Sequence, residues 1–234
     1  MRGNGHRRPL TVRLVRHCES LANAGQVTAD PAEIPLTAAG LEQAEALGSS
    51  FTASPTAIIC SPFLRARETA EPAARRFGLP LEVWPIQEFT YLAPAKCVGT
   101  TVAERRTWVE EYWHRSDPAY VDGPGAESFA QLVGRVQATL DRLLSCQGMV
   151  LMIGHGQFMQ ALRWWIEEQP PVLTAEHVHA FRQRDHASPI PNGQGYVLAR
   201  IDRQWKALFT ATSRPVILRS NLKMEELRYL PVKE

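Results

Sequence analysis

Short apolar runs alternate with longer stretches of helical periodicity along most of this chain. Residues 10–15 are rich in branched side chains and read as a strand. Residues 57–60 form a second such run, 81–84 a short third and 148–153 a fourth. Between them Thr37 has the chemistry of an N-cap for a helix over 38–51. A second helix is predicted over 62–77, stopped by Gly78-Leu79-Pro80. The clearest helix spans 127–144, where Phe129, Leu132, Val133, Val136, Leu140 and Leu143 recur on one face. A further helix carries Ala161, Leu162 and Trp165 up to Pro170, and residues 196–201 and 205–209 pair as a hairpin around Asp202-Arg203. Strands alternating with helices predict an α/β fold, a three-layer α/β/α sandwich around a mostly parallel central sheet.

Residues 89–125 fit this alternation less well. They hold Phe89, Tyr91, Trp108, Tyr112, Trp113 and Tyr120 together with Arg105 and Arg106. They are read as an inserted, mainly helical lid that selects the substrate; a plain side packing layer is the compatible alternative. Residues 1–9 are polar and read as a loose tail, leaving 10–234 as one domain.

The chain has 234 residues, 44% hydrophobic and 21% charged, the mix of an ordinary globular protein. Its net charge of +2 is too small to suggest nucleic acid or a membrane surface as partner. No segment is apolar for long enough to span a bilayer, and the opening lacks the apolar stretch of a secretory signal, so a cytoplasmic location is expected. Cys18, Cys60, Cys97 and Cys146 lack the close pairing of a zinc site. Cys18 and Cys60 end strands, where oxidation can touch activity, while small buried filler is the favoured reading for Cys60 and Cys146. Trp164-Trp165 suggests either a homodimer interface or core.

The chemistry lies at the ends of three strands. Arg16-His17 closes the first, Ser61 to Thr69 follows the second, and Gly154-His155-Gly156 closes the fourth. Ligands of open α/β sheets bind outside the carboxyl ends of the strands, so these residues can meet across one crevice. Arginine forks suit phosphoryl oxygens, and helices starting after strands offer free N–H groups. A neutral histidine is a good nucleophile for phosphorus, and flanking cations bias His17 toward that form. A leaving alkoxide then needs a carboxylic acid nearby.

These residues resemble the histidine phosphatase superfamily, which includes cofactor-dependent phosphoglycerate mutases and many phosphatases. Arg16-His17-Cys18-Glu19-Ser20 with Asn23 is similar to its Arg-His-Gly-Glu-Ser signature. Leu36-Thr37 through Ala44, Ser61-Pro62 through Thr69, Ala126-Glu127-Ser128, Gly154-His155-Gly156 and Pro191-Asn192-Gly193 resemble its other elements in order. The resemblance implies that His17 becomes phosphohistidine. It implies that Arg16, Arg65 and His155 hold the phosphoryl oxygens with Asn23 assisting, and that His155 is at least partly protonated. It places Glu88 as the general acid that later activates water, with Glu127 as the alternative, and it implies neither metal nor cofactor. The sequence departs from the pattern in having Cys18 where glycine is usual and in lacking the common Gly and Trp-Glu-Gly after the acid.

Other chemistries fit worse. Cys60 stands five residues before Arg65 and seven before Arg67, neither the spacing of a cysteine phosphatase loop. The chain has no Walker-type loop and no Gly-x-Ser-x-Gly elbow. His177-Val178-His179 lacks partners for a metal and reads as surface histidines. The expectation is a metal-independent phosphomonoesterase for a small phosphorylated metabolite, working through His17. The alternatives are a phosphomutase and a non-catalytic phosphate-binding module.

Overall fold

Six strands form one sheet in the computed structural model, which describes residues 9–201 and 203–208. They are β1 (Thr11–Arg16), β2 (Ala57–Cys60), β3 (Leu81–Val83), β4 (Met149–Gly154), β5 (Gly195–Ile201) and β6 (Gln204–Leu208). Their order is β3-β2-β4-β1-β5-β6. The first four run parallel, while β5 is antiparallel to both β1 and β6, which gives the expected mostly parallel sheet. The helices are α1 (Ala38–Ser50), α2 (Leu64–Phe77), α3 (Pro94–Cys97), α4 (Arg106–Arg115), α5 (Phe129–Leu143), α6 (Gly156–Glu168) and α7 (Ala175–Ala187). Residues 1–8 of the expected tail, and Asp202 and Phe209 of the expected hairpin, lie outside the described residues.

Register places the site. Arg16 pairs with Gly154 and Cys60 with Ile153, so β1, β2 and β4 end at one level. The backbone N–H of His17 donates to the Gly154 carbonyl, and that of Ser61 to the Ile153 carbonyl. The residues just beyond the three strands must therefore face one another.

Both faces of the sheet are covered, as a parallel sheet requires. Along β4, Leu151 and Ile153 pack with Leu47, Phe51, Ala70 and Ala73 of the α1–α2 layer. Val150 and Met152 point the other way, into a cluster holding Phe129, Leu132, Phe158 and Phe181. Each such fully buried side chain contributes about 2 kcal/mol. Two glycines set how closely the first layer docks. A Cβ on Gly40 would lie 2.0 Å from the Glu19 carbonyl oxygen, and one on Gly48 would lie 2.8 Å from Cβ of Pro72 in α2. Thr37 caps α1 by accepting from the Gly40 N–H at 2.9 Å. Ser128 and Gln131 form a capping box that starts α5.

The insertion holds α3 and α4, and its aromatic residues belong mainly to the core. Phe89, Tyr91, Tyr112 and Trp113 contact one another ring to ring and extend through Phe129 to Phe181. Trp164 is buried in the same cluster, the core reading of this residue, and Trp165 packs half-buried against it. Helix α7 was not anticipated: only Val178 and Phe181 are buried on it, too few for a visible stripe. No helix among the described residues is long and apolar enough to cross a membrane.

Candidate active site

His17 stands just past β1, buried, with both ring nitrogens engaged. Nδ1 lies 2.7 Å from the Cys18 carbonyl oxygen. A carbonyl only accepts, so Nδ1 carries the hydrogen and Nε2 is bare. Arg65 Nε donates to that bare Nε2 at 3.2 Å, and its NH1 donates to the Pro31 carbonyl at 2.8 Å. Burial first, then Arg65 and Arg16, hold the His17 pKa well below the ordinary histidine value. The imidazole is thus neutral, in the tautomer that leaves a lone pair on Nε2. Burial also lowers Arg65, to about 10 with help from Arg16 and against Glu88, which leaves it cationic at neutral pH.

His155 faces His17, with ring centroids 5.0 Å apart. Its Nε2 lies 2.8 Å from Ser61 Oγ, the hydroxyl that also accepts from the Phe63 N–H. Arg16 NH1 donates to the Ile190 carbonyl at 2.7 Å. His155 Nδ1 and Arg16 Nε are buried with no partner among the described residues. In the tautomer in which Ser61 donates to Nε2, Nδ1 carries the hydrogen, and a group rich in acceptors, such as a phosphoryl group, can partner both it and Arg16 Nε. His155 differs from expectation in its charge: burial, Arg65, His17 and Arg16 hold its pKa well below the ordinary value, so it is neutral here. A phosphoryl dianion among these cations supplies the opposite charge that favours protonation.

The helix N-termini also differ from expectation. The first amides of α2 are spent on protein groups: Leu64 donates to the Ala32 carbonyl and Phe63 to Ser61. At α6 the carboxylate of Glu88 takes that role, accepting from Gln157 and Phe158 at 3.0 and 3.3 Å. Glu88 Oε1 also accepts from its neighbour Phe89 at 3.1 Å. Burial nevertheless raises the Glu88 pKa above the ordinary carboxylate value, opposed by Arg16 and Arg65. Glu88 therefore combines a fixed position near both arginines with a raised pKa, as a general acid needs.

Glu127, the alternative acid, is committed elsewhere. It forms a two-pronged ion pair with Arg135 and accepts from the Thr90 N–H at 3.2 Å. Arg135 also donates to the carbonyls of Pro85 and Gln87 at 2.9 and 3.1 Å. The pair thus holds the backbone on both sides of Glu88, which makes Glu127 an anchor for that loop.

Asn23 lies beside the His17 loop, where its Oδ1 accepts from Ser20 Oγ at 2.9 Å and from Asn192 Nδ2 at 3.1 Å. Asn192 is the residue that sequence reasoning noted without a role. Its Nδ2 donates to the carbonyls of His17 and Cys18 at 2.9 and 3.3 Å, clasping the His17 loop from a segment distant in sequence. Only the similarity of Pro191-Asn192-Gly193 signalled it. Cys18 is fully buried, and its N–H donates to Thr69 Oγ1 at 3.0 Å. Burial pushes the thiols of Cys18 and Cys60 up to about 11. Protonated and shielded from solvent, they do not suit oxidation sensitivity, and the burial of Cys60 agrees with its reading as small buried filler. His177 proves to be part of a helix cap, its Nδ1 accepting from the Thr174 N–H at 3.1 Å.

A cavity of about 250 Å³ opens beside this centre, with Arg65, Glu88 and Gln157 among its lining residues. One wall comes from the loop after β1 through Thr28, Pro31 and Ile34, and the other from the insertion through Leu92, Val102 and Val109. The two walls are tied by an antiparallel bridge between Thr28 and Thr100. The insertion thus contributes both a packing layer and a pocket wall.

Residues 12–190 match the histidine phosphatase superfamily (branch 1), and the chain belongs to that superfamily. A probable phosphoglycerate mutase GpmB from Citrobacter koseri is 35% identical over 158 residues, covering 63% of this chain and 70% of the relative. The adenosylcobalamin/alpha-ribazole phosphatase of Salmonella typhimurium is 26% identical over 150 residues, 61% of this chain and 73% of the relative. The same fold occurs in the putative alpha-ribazole-5'-P phosphatase of Escherichia coli, with a TM-score of 0.67 at 21% identity, covering 86% of this chain and 95% of the other. It also occurs in a mycobacterial glucosyl-3-phosphoglycerate phosphatase, with a TM-score of 0.66 at 21% identity, covering 86% and 97%. The relatives therefore include both phosphatases and mutase-like proteins.

Proposed function

We propose that the chain is a phosphomonoesterase that works through a phosphohistidine on His17 and needs no metal. The observation that carries this is the fixed tautomer of His17: Nδ1 is anchored to the Cys18 carbonyl, and Nε2 is bare beside Arg65. In the first step the Nε2 lone pair attacks phosphorus and the ester P–O bond breaks. The electron pair leaves with the alkoxide, which takes the proton of Glu88. In the second step the Glu88 carboxylate accepts a proton from water, whose oxygen attacks phosphorus. The P–N bond breaks, its electrons return to Nε2, and inorganic phosphate leaves. Arg16, Arg65 and His155 stabilise the charge on the transferring group, where most of the catalysis of phosphoryl transfer lies. A bound dianion raises the Glu88 pKa further, which keeps the acid protonated when it is needed.

Hydrolysis is favoured over mutase chemistry by the pocket wall. A mutase must hold one molecule in two orientations through polar contacts to its second hydroxyl, and the wall beyond the phosphoryl site is mostly apolar. The observation on the other side is the 35% identity to a probable phosphoglycerate mutase. The test is hydrolysis of p-nitrophenyl phosphate in excess EDTA by the native chain and by His17→Ala. Turnover by the native chain alone supports the proposal. Equal turnover by both, or turnover abolished by EDTA, overturns it, and phosphoryl exchange without net hydrolysis favours the mutase.

A further inference from the structure

The cavity beside the phosphoryl centre carries its own chemical information. Glu88 and Arg65 belong to its lining, so whatever is esterified to the phosphoryl group enters it. Beyond them the lining is mostly apolar, through Pro31, Ile34, Phe63, Leu92, Val102 and Val109, with Thr28, Thr90 and Tyr91 as further polar members. Arg105 is the one cation that this outer wall carries among the described residues, and it is already used. Its Nε donates to the Thr101 carbonyl at 3.1 Å and its NH2 to Thr28 Oγ1 at 3.1 Å, tying one wall to the other. Val102, an apolar side chain of this lining, is 58% exposed among the described residues.

From this arrangement we infer that the enzyme selects phosphomonoesters of apolar alcohols, with a body about the size of one ring, over phosphorylated polyols or carboxylates. A polyol entering this space loses hydrogen bonds to water and finds few in return, whereas a hydrocarbon body loses nothing. Val102 and Ile34 are then specificity-determining residues. The inference rests on the phosphomonoesterase reading above, but its pocket can be probed separately.

Benzyl phosphate, glycerol 3-phosphate and 3-phosphoglycerate all release primary alkoxides, so their kcat/KM values compare the pocket more than the leaving group. Benzyl phosphate is expected to exceed both others by about tenfold to a hundredfold. Val102→Asp should cut that ratio about tenfold, mainly through KM, while Val102→Leu keeps it. Calorimetric binding of benzylphosphonate against methylphosphonate reads the same preference without turnover. Hydrolysis with 3-phosphoglycerate or glycerol phosphate preferred overturns the inference and leaves the phosphatase reading intact. Tighter binding of benzylphosphonate without any hydrolysis supports the pocket and overturns the phosphatase reading. Equal binding of the two phosphonates overturns the inference whatever the turnover.

Discussion

Arg65 places its Nε 3.2 Å from Nε2 of His17 and donates to the one nitrogen with a free lone pair. On the proposed mechanism the guanidinium that would clamp a phosphoryl oxygen thereby also aims His17, and its charge helps burial to keep that imidazole neutral. Arg65→Lys keeps the charge but loses the planar fork, and should lower kcat/KM for p-nitrophenyl phosphate about a hundredfold. Arg65→Gln removes a cation that depresses His17. The His17 pKa should then rise, so the acid limb of the rate profile should move to higher pH. An unmoved limb would show that Arg65 does not control His17.

In the proposed mechanism Glu88 donates its proton only where the leaving group needs one. Glu88→Gln should slow hydrolysis of an alkyl phosphate by about 10²–10⁴-fold. p-Nitrophenyl phosphate, whose leaving group departs without help, should lose far less in the phosphorylation step, seen as a retained burst of nitrophenol. Because the Glu88 pKa is raised and the acid must be protonated, the native rate should fall on the alkaline side, and this limb should vanish in the variant. Equal losses on both substrates would remove Glu88 from the acid role.

His17 and His155 are both neutral in the fold, with pKa values held well below 6.5. Below about pH 6.5 the unfolded chain binds protons at these two positions that the folded chain refuses. Stability should therefore fall as pH drops, by up to about 1.4 kcal/mol per pH unit for each histidine. Glu88, raised by burial, acts in the opposite sense, so the useful comparison is between variants. Urea unfolding at pH 7, 6 and 5 should show a flatter dependence for His17→Gln/His155→Gln than for the native chain. Parallel slopes would contradict the depressed pKa values.

Asn192 reaches across the chain to the carbonyls of His17 and Cys18. Asn192→Ala should cost about 1–3 kcal/mol of stability by leaving those carbonyls short of a donor. It should also lower kcat about tenfold or more with little change in KM, because the nucleophile loses its hold. Asn192→Asp, which cannot donate to a carbonyl, should fare no better. A variant with native kcat would reduce Asn192 to a bystander.

What the sequence disclosed and what it hid follow from the range of the interactions. β1, β2 and β4 are marked by continuous apolar runs because both their faces are buried, and their ends carry Arg16, His17 and His155. Helix α5 shows a wide apolar stripe, whereas α7 buries only Val178 and Phe181 amid charged residues and leaves no period to detect. The aromatic residues of 89–125 drew attention as a lid. Most of them complete the core through Phe129 and Phe181, while Phe89 and Tyr91 also line the pocket together with smaller side chains such as Val102 and Val109. Glu127 and Asn192 act through contacts that no local pattern announces: Glu127, just before α5, meets Arg135 eight residues on inside that helix, and Asn192 meets the His17 loop only through the fold.

Whether His17 carries the phosphoryl group can be seen on the protein itself. The native chain is mixed with p-nitrophenyl phosphate, quenched in alkali within milliseconds, digested, and analysed by mass spectrometry. A phosphoryl group on the peptide bearing His17, labile to acid and absent from His17→Ala, is the predicted result. Turnover with that peptide unmodified, or with the label on another residue, would contradict the assignment of His17 as the nucleophile.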